Sequence, residues 1–120
     1  MAIGQTRSAK IQANVFKVID AQSFPAGTAV TVWTPTGDRR VRLRGWSLST
    51  SAAAALEFQD SNAAGTVIAQ TPLLATAGIH SSPDLGDGIL LTSGTTLDLD
   101  VTSSAAVSGM VGGVEEGANY

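Results

Sequence analysis

The chain has no cysteine, which excludes a disulfide framework and any metal site built on thiolates. Charge is scarce. Asp, Glu, Lys and Arg make up 14% of the residues, where about a quarter is usual. Hydrophobic residues stand at an ordinary 43%. A disordered chain has the opposite balance, high charge with low hydrophobicity. Aromatic residues are few, so a core has to be assembled from Val, Leu and Ile around Trp33, Trp46, Phe16, Phe24 and Phe58. No apolar run approaches the ~20 residues of a membrane-spanning helix. The opening MAIGQTRSAK lacks the apolar stretch of a secretory leader. These absences describe a chain made and folded in a cytoplasm, and they leave open a later life outside the cell as part of a particle. The formal net charge of −3 argues against global attraction to nucleic acid.

Ser, Thr and Gly are abundant, and turn residues recur about every ten positions, the spacing of short strands in a sandwich or barrel. At 120 residues the chain is one domain, long enough to bury a core without staples. The expected fold is all-β: an antiparallel β-sandwich or jelly-roll-like barrel of about eight short strands. These strands are expected over residues 13–19, 28–33, 39–48, 52–59, 66–70, 89–91, 95–101 and 106–114. Residues 52–56 are helical by propensity, but Leu56 and Phe58 alternate with Glu57 and Gln59, which favours a strand. Residues 72–88 read as one long loop, of the kind that often makes contacts. An extended arm is expected over 1–12, a single sandwich domain over 13–116 and a polar tail over 117–120.

Residues 39–50, RRVRLRGWSLST, hold the sharpest signal. Val41 and Leu43 alternate with Arg40, Arg42 and Arg44, so one face of a strand is apolar and the other carries three guanidiniums. After Gly45 the apolar phase slips by one, to Trp46 and Leu48, as at a β-bulge. The plain reading of the arginine stripe is a solvated face paired with Asp98 and Asp100 on a neighbouring strand. The functional reading is contact with an acidic partner, since the guanidinium fork grips carboxylates bidentately. Nucleic acid is disfavoured because no aromatics interleave on that face.

Other candidate chemistry is thin. Asp84-Leu85-Gly86-Asp87-Gly88 lacks the further oxygen ligands and terminal Glu of a calcium loop, so a glycine-rich turn is expected, with no metal and no cofactor. Asp98 and Asp100 share a face, but no cleft is evident around them. His80, the single histidine, falls in the long loop and reads as a surface residue. There is no G-x-S-x-G nucleophile elbow, and the glycines at 109–113 match neither a P-loop nor a dinucleotide fingerprint. They read instead as places where strands pack closely, at a subunit interface or a barrel corner. Trp33 and Trp46 read as core, with a sugar site as the rival. The arm, with Arg7 and Lys10, either frays or orders on a partner. No catalytic residue is expected, and the chain reads as not an enzyme.

Four features occur in a fixed order: the strand Val41-Arg42-Leu43-Arg44-Gly45-Trp46, the LEFQDSNAAGTVIA hairpin, the segment GILLTSGTTLDLDV, and a Val107-Ser108-Gly109 strand finishing at Glu115-Glu116. Together, over residues 39–116, they resemble the small β-sandwich virion proteins of tailed bacteriophages, closest to head decoration (cement) proteins. The resemblance implies a homotrimer on the capsid exterior that binds the major capsid protein and stabilises the shell. Arg40, Arg42, Arg44, Arg7, Lys10 and His80 are then the candidate contacts. The alternatives are a phage tail or fibre component, or a carbohydrate-binding β-sandwich module.

Overall fold

The computed structural model describes residues 12–62 and 65–117. They form nine strands and no helix: β1 (Gln12–Phe24), β2 (Val30–Trp33), β3 (Arg40–Thr50), β4 (Leu56–Asp60), β5 (Thr66–Gln70), β6 (Gly78–Ser81), β7 (Ile89–Leu90), β8 (Leu97–Val101) and β9 (Ala105–Glu116). One sheet has the order β1-β9-β3-β6, with β7 also pairing β3, and the other has the order β2-β8-β4-β5. Every strand pairing is antiparallel. The all-β, two-sheet architecture is as expected, but three strands are long rather than short.

Alternation accounts for the core. Val41, Leu43, Leu97, Leu99 and Val101 are all fully buried, each on the inward parity of its strand. The phase slip at Gly45 is a bulge, with the register between β3 and β9 shifting between Leu43 and Gly45. It lets Val41 and Leu43 before it, and Trp46 and Leu48 after it, all face inward. Ser82 Oγ accepts the Trp46 amide proton at the bulge (3.1 Å). Trp46 meets Phe58 of the opposite sheet with ring centroids 4.4 Å apart, so this pair joins the two layers. β9 packs between β1 and β3 at close range. A Cβ at Gly113 would stand 2.0 Å from the Arg42 carbonyl oxygen, so only glycine allows that approach. This agrees with the close-packing role expected for the glycines at 109–113.

Several boundaries differ from the sequence reading. β1 continues past residue 19 to Phe24 through an irregularity between Ile19 and Gln22, with Ala21 at φ 47°. Residues 52–55 are neither helix nor strand, and the strand there begins at Leu56. The expected long loop contains β6, which pairs with β3. β9 runs on to Glu116. The expected arm (1–12, with Arg7 and Lys10) lies outside the described residues except for Gln12, which opens β1. The expected tail lies outside them except for Gly117.

Candidate functional site

The arginines stand where the alternation puts them, on the outward parity of β3. Arg40 Nε donates to the Leu91 carbonyl (2.9 Å). Arg42 Nε forms an ion pair with Glu116, which lies opposite Arg40 on β9, two positions beyond Arg42's own partner Val114, and that hydrogen bond raises the guanidinium's pKa. Arg44 is exposed and makes no ion pair with another described residue. The expected pairing with Asp98 and Asp100 does not occur. Those carboxylates lie on β8, in the other sheet, and point outward on the far side of the sandwich.

His80 is also displaced from its expected place. It is buried within β6, not exposed on a loop. The Thr50 hydroxyl is spent on the Ala52 carbonyl (2.9 Å), so its oxygen accepts from His80 Nε2 in a long 3.5 Å contact. Thr71 Oγ1 accepts the Leu56 amide proton (2.8 Å) and has its own proton for His80 Nδ1 (3.0 Å). The neutral Nε2–H tautomer satisfies both partners. Burial lowers the pKa in the same sense.

The two terminal glutamates of β9, which look in sequence like an acidic finish, are buried. Glu115 faces inward and accepts from Trp33 Nε1 (2.8 Å) and the Thr36 amide (3.1 Å). Burial raises its pKa, but the Trp33 and Thr36 bonds outweigh that, and the net shift is downward. Asp60, also buried, accepts from the Thr92 amide and hydroxyl (both 2.8 Å), Thr95 Oγ1 (2.5 Å) and the Asn62 amide (3.2 Å). Burial again raises its pKa and the four bonds bring it down overall. Both carboxylates are therefore committed to holding turns against strands. No group of three or more potential metal ligands occurs among the described residues. Asp84 accepts from the Gly86 amide (2.9 Å), as in an Asx turn.

The surface feature that alternation did not reveal lies beside Arg44. β1 is an edge strand, and its residues 14, 16 and 18 face outward. Phe16 is 68% exposed, Val18 72%, and Met110 on neighbouring β9 47%. Phe16, expected in the core, instead lies over Gly112, where an added Cβ would come within 2.9 Å of its ring. Gly45 and Gly112 floor an open depression of about 510 Å³, rimmed by Asn14, Phe16, Arg44, Ser47 and Met110. Both tryptophans are buried, which leaves no exposed indole to stack on a sugar. The hint in sequence was the run Val15-Phe16-Lys17-Val18-Ile19, apolar on both parities. No family model, curated protein or solved structure matches the chain.

Proposed function

We propose that the chain is a non-enzymatic structural protein of a tailed-phage virion, a capsid decoration protein that adheres to the outer shell surface as a homotrimer and stabilises it. The observation that carries this reading is the outer face of the first sheet. Phe16, Val18 and Met110 are displayed there beside Arg44 on a sheet of long, closely packed strands. An apolar, guanidinium-edged patch on a rigid sheet is suited to adhesion rather than chemistry. Glu115, Asp60 and His80 are meanwhile tied to internal partners. The resemblance over residues 39–116 supplies the particle and the major capsid protein as partner. Bridging several shell subunits would gain avidity from modest individual contacts.

The test is biochemical. Purified particles should contain the protein on the head. Shells stripped of it should keep their shape but burst at lower temperature or milder osmotic shock, and adding the protein back should restore resistance. Localisation to the tail, or equal robustness of stripped and decorated heads, would replace this reading with a tail or fibre role.

A further inference from the structure

The outer faces of the two sheets differ in sign. The first sheet displays Arg40, Arg42 and Arg44 on the outward parity of β3, with Glu116 paired to Arg42 and Asp20 exposed on β1, while Lys17 lies on the inward parity of β1; among the described residues the second sheet carries no Lys or Arg. Its outer face holds Glu57, Asp98 and Asp100 instead, and Val67, 42% exposed, stands opposite Gln59 on the edge strand β5. Glu57 and Asp100 are direct cross-strand neighbours, an arrangement that destabilises a sheet when both are charged. No cation within the described chain relieves it. Among the described residues Glu57 accepts from the neutral amides of Gln59 and Gln70 (3.0 and 3.2 Å), and Asp98 from the hydroxyls of Thr31 and Thr96 (2.9 and 2.8 Å). Burial first, and Glu57 second, raise the Asp100 pKa.

We propose that the acidic outer face of one copy, Glu57, Asp98 and Asp100 with Val67, docks on the Phe16–Val18–Met110 face beside Arg44 of the next copy. The occupant is a second copy because the chain presents both halves of a complementary pair on opposite sides of one sandwich. A two-fold contact of the arginine face with itself would set Arg40, Arg42 and Arg44 against their copies, whereas front-to-back contact sets opposite charges together and covers Phe16, Val18 and Met110. Such a contact is heterologous, and because the two faces look away from each other on opposite sides of the sandwich, it stacks successive copies in one direction rather than closing a ring. This inference rests on the self-association in the proposed function and adds to it a front-to-back contact between copies.

The test is sedimentation of the full chain at micromolar concentration, alone and as variants. Glu57→Lys turns the repulsive pair with Asp100 into an attractive one, so its melting temperature should not fall, yet association should weaken about tenfold or more. Arg44→Glu, at an exposed position, should weaken it similarly, and Phe16→Ser should do so without any charge change. Combining Arg44→Glu with Glu57→Lys should recover part of the loss. Wild-type association should weaken as salt rises. An oligomer indifferent to both charge variants overturns the docking arrangement and leaves self-association standing. A wild-type chain that stays monomeric overturns both, while shell binding and burst resistance still judge the decoration role separately.

Discussion

Glu115 reaches across the sandwich, from β9 in the first sheet to Trp33 in the second, and its removal should be costly. Glu115→Ala orphans Trp33 Nε1 in a site where Trp33 is only 1% exposed. An unsatisfied buried donor costs about 1–3 kcal/mol. The Thr36 amide loses its acceptor too, but Thr36 is exposed and water can replace the bond. The contact to Arg39 at 3.8 Å involves a partly exposed guanidinium, so it adds at most about 1 kcal/mol. The sum is about 1–4 kcal/mol, a large part of the stability of a typical domain. At this chain length that lowers the melting temperature by roughly 10 °C. Urea unfolding at fixed protein concentration measures it directly. The decisive comparison is the cycle with Trp33→Phe, which removes the donor and keeps most of the ring. In that background Glu115→Ala should cost about 1–2 kcal/mol less than in the wild type. Strictly additive costs would show that the indole–carboxylate bond does not couple the sheets, and the account of Glu115 would fail.

Three further outcomes follow from the same structure. The fold favours neutral His80 and ionised Glu115 and Asp60, all with lowered pKa values. The unfolded chain therefore binds more protons on the acid side: stability should decline as pH falls below 6.5 and again below about 4.5, and His80→Gln should remove the first decline in a melting-temperature series. Asp100, shifted upward, should oppose the second decline, and Asp100→Asn should steepen it. Gly113→Ala, which meets a backbone oxygen at 2.0 Å, should cost about 3 kcal/mol or more in urea unfolding. Gly37→Ala, at φ 58° in open space, should cost only about 1–2 kcal/mol.

What the sequence revealed and what it concealed divide along a physical line. Alternation is a local property, so the inward Val41, Leu43, Leu97, Leu99 and Val101 and the slip at Gly45 could all be read from neighbours in the chain. β6 could not, because Gly78–Ser81 is a strand by virtue of pairing with β3 and has little alternation of its own. Phe16 was misplaced for a related reason. In Val15-Phe16-Lys17-Val18-Ile19 both parities are apolar, and pattern alone cannot choose the buried face. The register with β9 decides it, placing Phe16 opposite Gly112, on the side away from the second sheet.

The arginine stripe shows where this limit reaches function. The residues on its face were legible, but its partner was not, because strand neighbours are set by long-range pairing. Assigning Asp98 and Asp100 to an adjacent strand would have neutralised the stripe within the domain. With β8 in the other sheet, that neutralisation is impossible: the core of the sandwich lies between the two sets of charges. Among the described arginines of β3, only Arg42 forms an ion pair with a described carboxylate, Glu116. Arg44 and the Glu57–Asp100 pair are left facing outward from opposite sides, Arg44 beside the exposed Phe16 and Met110. The favourable pairing that one chain cannot make within itself becomes available when two chains meet front to back, so the topology that defeats the simple sequence reading is the same feature that makes the two faces complementary.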